Sequence, residues 1–142
     1  MSAKKPRQVD AAGEVWRLMS DLVLNNERRR EVCDYVGLSF GKIKVLRLLV
    51  NRPLPMGELA ALVNMDPPNL TSVIDDLQRA GLVERRAHPS DRRVQLVVDT
   101  SDGETLAHRA EEILHQPPKE LSQLSMGDIE TLLLILSRTR TE

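Results

Sequence analysis

A mainly α fold with a small β-hairpin (α+β) is predicted by three observations. Apolar residues recur at helical spacing along most of the 142 residues. Two of these helical patterns, ending at Val63 and beginning at Asp66, are separated only by Asn64 and Met65. Behind the second lie two short β-type runs bracketing the basic loop Arg86-Ala87-His88-Pro89-Ser90-Asp91-Arg92-Arg93. Helix, tight turn, helix and charged hairpin is the layout of a winged helix-turn-helix, with further helices on either side.

From the start, Met1-Ser2-Ala3-Lys4-Lys5-Pro6-Arg7 is basic with no apolar core after it, so it is expected to be a solvated tail rather than a secretion signal. One long helix is predicted from about Asp10 to Val36, with Ala12, Val15, Met19, Leu22, Asn26, Arg29, Cys33 and Val36 at three–four spacing. Its first half is too apolar to face water, whereas Asn25 to Arg30 reads as a solvated charge run. Gly37-Leu38-Ser39 ends the pattern, and Ser39 caps a second helix through about Asn51, rich in core residues such as Ile43, Leu46 and Leu49. Pro53 and Pro55 enforce a stop, and Met56 to Val63 forms the first helix of the DNA-binding motif.

The second helix of the motif is predicted over Asp66 to Ala80. Asp66 suits the N-cap, because its carboxylate accepts bonds from the free N–H groups of the first turn. Pro67 follows where its missing N–H costs nothing. Leu70, Val73, Ile74 and Leu77 make one apolar stripe, and Gly81 fits the left-handed position past the helix end. Asn64 suits a left-handed turn between the two helices. The opposite face carries Pro68, Ser72, Asp75 and Arg79, flanked by Asn69 and Thr71. The hairpin is read as Leu82 to Arg86, the loop, then Val94 to Val98. Five arginines lie from Arg79 to Arg93 against Glu84 and Asp91, a net charge of +3. A loop tip with Arg92 and Arg93 suits a narrow minor groove, where the negative potential is strongest. An ordinary solvated hairpin is the plain alternative.

Beyond the hairpin, Ser101 or Asp102 is expected to cap a helix through about Gln116, which Pro117-Pro118 ends or kinks. A last helix, Ser125 to about Arg140, is apolar on one side through Ile129, Leu132, Leu133, Ile135 and Leu136. Ser125-Met126-Gly127-Asp128 has the form of a capping box with an acid in its fourth place. Excess apolar surface on the first and last helices is best covered by a second subunit, so a homodimer is expected. The chain thus reads as a single domain, 1–142. Its winged helix-turn-helix spans 37–100, and its dimerisation helices span 8–36 and 101–142.

The net charge of −1 excludes a protein that coats DNA through a global basic field, and leaves specific recognition through local clusters. A lone cysteine excludes an internal disulfide and suits a reducing cytoplasm. No apolar run approaches the length of a membrane span, so no membrane partner is expected. Enzyme chemistry finds no Gly-rich phosphate loop, paired metal-ligand cysteines or nucleophilic triad, and no cofactor is expected. His108, Glu112 and His115 share one predicted helix face and are the weak candidates for a metal ion. A solvated or subunit-facing stripe explains them better.

At the hairpin the residues reach a family. Gly81-Leu82-Val83-Glu84-Arg85, then His88-Pro89-Ser90-Asp91-Arg92-Arg93, then Leu96, Thr100 and Gly103, resemble the signature of the MarR family of bacterial regulators. Leu59-Ala60, Leu70-Thr71, Asp75 and Leu77 match its helix-turn-helix, and the resemblance runs from about Gly37 to Leu136. It implies a dimeric, winged-helix DNA-binding protein, usually a repressor released by small molecules or oxidants. Three positions depart from the family pattern: Ser72 where many members carry Arg, Asp76 where a basic residue is common, and Pro55 where Ser or Thr often caps. The first two make the recognition helix acidic, so the operator sequence does not transfer from relatives. Some peroxide-sensing relatives use a single cysteine near the start of the first long helix. Cys33 lies near its end, which favours a buried, inert thiol.

The expected function is a transcriptional repressor that occupies a pseudo-palindromic operator in double-stranded DNA. Pro68, Asn69, Thr71 and Ser72 are expected at the major groove, with Asn69 the best base reader because its amide pairs with adenine through two bonds. Arg92 is expected in the minor groove, with Arg86, His88 and Arg93 nearby. Asp91 is expected to orient the wing arginines, and the resemblance implies an Asp66–Arg93 pair. An inducer, a small molecule of unknown identity, is expected among the first, second and post-hairpin helices, with Trp16, Met19, Phe40 and Ile43 as candidate contacts. The alternative is a winged helix serving as a protein-interaction module, to which Asp75 and Asp76 give some weight.

Overall fold

Four helices begin the same way. Ser39, Asp66, Thr100 and Ser125 each hold an extended backbone, and the side-chain oxygen of each accepts the N–H three residues on. Each cap satisfies one of the donors that a helix start leaves free. In the computed structural model, residues 8–25 and 27–140 are described. The Met1–Arg7 tail and Asn26 lie outside the described residues.

Two compact units are formed, Arg28–Gln116 and the pair of segments Met1–Glu27 with Pro117–Glu142. The first contains α2 (Arg28–Val36), α3 (Phe40–Leu49), β1 (Leu54–Pro55), α4 (Met56–Val63), α5 (Pro67–Arg79), β2 (Val83–Ala87), β3 (Gln95–Asp99) and α6 (Ser101–Leu114). The second contains α1 (Gln8–Leu24), α7 (Lys119–Ser122) and α8 (Met126–Ser137). The expected long helix over 10–36 is therefore two helices. The Asn25 N–H closes the last turn of α1 on the Asp21 carbonyl at 2.9 Å, and a new helix starts at Arg28. Asparagine competes for backbone groups in non-helical conformations, which weakens a helix at a position such as Asn25. Val32 of α2 is fully buried.

In the central unit, α2 and α6 both pack on α3. Leu46 and Leu49 of α3, Leu59 and Val63 of α4, and Leu70, Ile74 and Leu77 of α5 close the main core with Val83 and Val97 of the sheet. Burying a side chain of this size is worth about 1.5–3 kcal/mol, so the stripe of α5 fixes which of its faces looks outward. Asn64 takes the left-handed turn between α4 and α5 at φ 55° and ψ 48°. Gly81, at φ 74°, ends α5 in a conformation that glycine adopts without steric cost.

The sheet has three antiparallel strands in the order β1-β3-β2, one more than the expected hairpin. Leu54 pairs with Val97 and Pro55 with Leu96. Proline tolerates this edge position, and Pro55 is at once the end of β1 and the N-cap residue of α4, without a side-chain cap bond. β2 and β3 pair from Val83 with Asp99 to Ala87 with Gln95.

Thr100, rather than Ser101 or Asp102, caps α6. Its hydroxyl accepts the Gly103 N–H at 3.1 Å and donates to the Gly81 carbonyl at 2.7 Å, tying the start of α6 to the end of α5. Gly103 is required there: a Cβ would meet the Leu82 carbonyl oxygen at 2.0 Å.

In the other unit, α1 leaves Val15, Trp16 and Leu18 exposed, and α8 leaves Leu133, Leu134, Ile135 and Leu136 exposed. Asp128 donates its N–H to the Ser125 hydroxyl at 3.1 Å, the forward bond of the capping box read from the sequence. Among the described residues, no helix is long and apolar enough to cross a membrane.

Candidate nucleic-acid interface

With Leu70, Ile74 and Leu77 anchored in the core, α5 turns Pro68, Asn69, Thr71, Ser72, Asp75 and Arg79 to the outside. These side chains are not equally free. The Thr71 hydroxyl donates to the Pro67 carbonyl at 2.9 Å, so it is engaged by its own helix. The Ser72 hydroxyl has no hydrogen-bond partner among the described residues. Asp66 accepts the Asn69 N–H at 3.4 Å with one carboxylate oxygen and the Asn69 side-chain Nδ2–H with the other.

The expected pair between Asp66 and Arg93 is not formed. Arg93 turns instead to Asp91, which accepts from its backbone N–H at 3.0 Å and from Nε at 3.4 Å. A carboxylate two residues away is reached within the turn itself, while Asp66 already binds Asn69 through both oxygens. The Arg93 side chain is 93% exposed.

The loop of the wing is braced locally. The His88 N–H donates to the Val94 carbonyl at 2.9 Å, and the Val94 N–H to the Asp91 carbonyl at 3.0 Å. The His88 ring accepts the Ser90 N–H at Nδ1, 3.1 Å away. His88 therefore shapes the loop through its ring nitrogen. Arg86 lies 2.9 Å from Glu84 on the same strand. Arg92 is exposed and has no partner among the described residues.

The residues that sequence reasoning missed are those that hold the outer face of α5 in place. Arg85 of β2 reaches α5, where it binds Asp75 at 2.6 Å and also Gln78. Asp76 is shared between Lys42 of α3, at 3.1 Å, and Arg79. Lys42, then Arg79, hold the Asp76 carboxyl below the usual carboxylate range. Asp75 and Asp76, the two acids that gave weight to a protein-interaction module, are thus both ion-paired. A signal for Arg85 was present: along a strand it shares a face with buried Val83, the side that packs on α5. Nothing in the sequence pattern marks Lys42.

The candidate ligand contacts fare unevenly. Ile43 is buried against Val32 and Ala110 and is a core residue, unavailable to a ligand. Phe40 is half-buried, with the Arg29 guanidinium 4.2 Å from its ring centroid. Trp16 is exposed and Met19 half-buried on α1.

The metal candidates do not converge. His108 pairs with Glu104 at 3.5 Å and His115 with Glu111 at 3.2 Å, each one turn back on α6, and Glu112 joins neither. Glu111 is also held by Arg47 of α3 at 2.5 Å, which keeps its carboxyl below the ordinary range. Among the described residues, no group of His, Cys, Asp and Glu could hold a metal ion. Cys33 is half-buried against the Val32–Ile43–Ala110 cluster.

The MarR family model matches residues 38–94. The HTH-type transcriptional repressor YetL of Bacillus subtilis (strain 168) is 36% identical over 92 residues, 63% of this chain and 52% of that repressor. The chain thus spans about half the length of that relative. The apo form of wild-type MarR from E. coli superposes with a TM-score of 0.68 at 25% identity, covering 88% of this chain and 96% of that one. The S. aureus MepR–DNA complex shares the fold, with a TM-score of 0.61 at 17% identity over 89% of this chain and 99% of that one.

Proposed function

We propose that the chain, whose residues 38–94 match the MarR family model, is a sequence-specific DNA-binding transcriptional regulator of that family. It acts as a homodimer on a pseudo-palindromic operator in the cytoplasm, and represses by occupying that operator. The observation that carries this reading is the combination of an ion-paired outer face on α5 with an unpaired arginine, Arg92, at the wing tip among the described residues. Asp75 and Asp76 are ion-paired to Arg85, Lys42 and Arg79, so the acids of α5 do not stand as bare charges against phosphate. The same pairing removes the argument for a protein-interaction module, which rested on those two acids. The relatives matched are named as regulators rather than enzymes.

In this reading Asn69 and Ser72 meet base edges, Pro68 and Thr71 pack at the groove, and Arg92 enters the adjacent minor groove. Arg86 and Arg93 sit near phosphate. The apolar side chains exposed on α1 and α8 support burial in a second subunit. A small-molecule inducer would act by changing the distance between the two recognition helices, which must match the half-site spacing of one DNA turn.

The test is selection of bound duplexes from a random pool, followed by mobility shifts at two salt concentrations. A shared, two-fold-related motif is expected, with affinity falling linearly in log–log form as salt rises. Absence of any enriched motif, or a flat salt response, would remove DNA as the partner.

A further inference from the structure

Asp66 and Asn69 form a closed pair at the start of α5. One oxygen of the Asp66 carboxylate accepts the backbone N–H of Asn69 at 3.4 Å, and the other accepts the side-chain Nδ2–H of the same residue. A carboxylate only accepts hydrogen bonds. The Asn69 amide is therefore held one way round, with its nitrogen toward Asp66. Turning it over would set its carbonyl oxygen against a negative charge. The carboxylate reaches the main-chain N–H and the amide together, so it approaches the amide from the main-chain side. The far edge, Oδ1 with the second N–H, is left exposed and without a partner among the described residues.

We propose that Asn69 reads an adenine in the major groove through this far edge, and that Asp66 is the positioning residue that makes the reading one-sided. The inference rests on the DNA-binding function proposed above. Adenine presents an amino donor at N6 beside an acceptor at N7, the complement of an acceptor beside a donor. Guanine presents two acceptors, O6 and N7. An amide free to turn over could donate to guanine O6. An amide pinned by Asp66 sets its own oxygen against that atom and rejects it. Thr71 does not compete, because its hydroxyl is bonded to the Pro67 carbonyl.

Two variants separate the roles. Asn69→Ala removes the reading edge at an exposed position. Asp66→Ser keeps an N-cap oxygen for the backbone N–H, as serine is a good cap, but has no second oxygen for the amide. The probe is the duplex enriched from a random pool by the parent chain, with each base of the motif exchanged in turn. The parent is expected to prefer adenine over guanine at one position in each half of the site by roughly ten- to a hundredfold. Both variants should lose most of that preference while keeping the parent's melting temperature within a few degrees. Replacing the adenine by 7-deazaadenine, which lacks the N7 acceptor, should weaken the parent by a similar factor and leave Asn69→Ala unmoved. An adenine preference that survives in Asn69→Ala overturns the assignment and leaves DNA binding standing. A preference lost in Asn69→Ala but intact in Asp66→Ser overturns the role of Asp66. If Asp66→Ser does not fold, Asp66→Thr, which also caps through a single oxygen, takes its place. A parent chain that enriches no sequence overturns the DNA-binding function, and this assignment falls with it.

Discussion

The guanidinium of Arg85, on the first strand of the hairpin, binds the carboxylate of Asp75 on α5 at 2.6 Å, with Gln78 as its second partner. This contact sets the wing against the helix and covers a negative charge on the outer face. Exposed ion pairs contribute at most about 1 kcal/mol to stability, so Arg85→Ala should lower the melting temperature only slightly. Its effect on DNA should be larger, about tenfold or more in affinity, because Asp75 is left bare toward the DNA. Adding Asp75→Ala to that variant should recover part of the loss. Binding curves for the two single variants and the double variant at one salt concentration check this; strictly additive losses would show that the charge of Asp75 is not the cause.

Arg92 stands at the wing tip without a protein partner among the described residues. Arg92→Ala should leave folding within about 0.5 kcal/mol of the parent. Operator affinity should fall by roughly ten- to a hundredfold with a shallower salt slope. Ser72→Ala should instead change preferred bases with little change in slope. Paired curves at two salt concentrations, with melting temperatures as control, test both. Unaltered operator binding by Arg92→Ala would remove the wing from the interface.

Asp99 closes β3 with its Oδ2 buried and without a hydrogen-bond partner. Burial, and then the neighbouring charge of Glu104, push its carboxyl above the ordinary value. A raised pKa in the folded chain means that folding favours the protonated form. The associated stabilisation is complete below the unfolded-state value and is lost as pH rises through the folded-state value. Asp99→Asn, which stays neutral, should therefore melt higher than the parent at neutral pH. The difference should shrink as pH falls toward the carboxylate range, about pH 4. Thermal melts across that range check it, and an advantage that persists at low pH would assign the gain to something other than charge.

In the single chain, Leu133 of α8 is 64% exposed and Leu136 is 41% exposed. Leu133→Glu and Leu136→Glu together should give a monomer in sedimentation while leaving the central unit folded, since neither side chain belongs to its core. Operator affinity should drop sharply, because one half-site alone then holds the protein. A stable dimer of the double variant would place the subunit contact elsewhere.

Much of α5 could be read from its own residues. Asp66 as cap, Pro67 in the first turn, Leu70, Ile74 and Leu77 inward, and Gly81 at the end all rest on hydrogen bonds and periodicity within a few positions of each residue. The caps at Ser39 and Ser125, the left-handed Asn64 and the wing loop are of the same local kind. What the sequence could not decide was which partners the fold brings together from far apart. Arg85 finds Asp75, Lys42 finds Asp76, and Ile43 is buried against Ala110 rather than left to a ligand. β1 exists because Leu54 and Pro55 meet β3, not because two residues prefer a strand. Arg93 takes Asp91 because that carboxylate lies within its own turn and Asp66 is engaged by Asn69. The caps at Ser39, Asp66 and Ser125 and the apolar stripes are written in neighbouring residues, and so the sequence alone determined them; the α6 cap fell to Thr100, whose hydroxyl also reaches the distant Gly81 carbonyl. The edge strand and ion pairs such as Arg85–Asp75 and Lys42–Asp76 depend on distances of a few ångströms between residues ten or more positions apart, and those distances exist only once the core has closed.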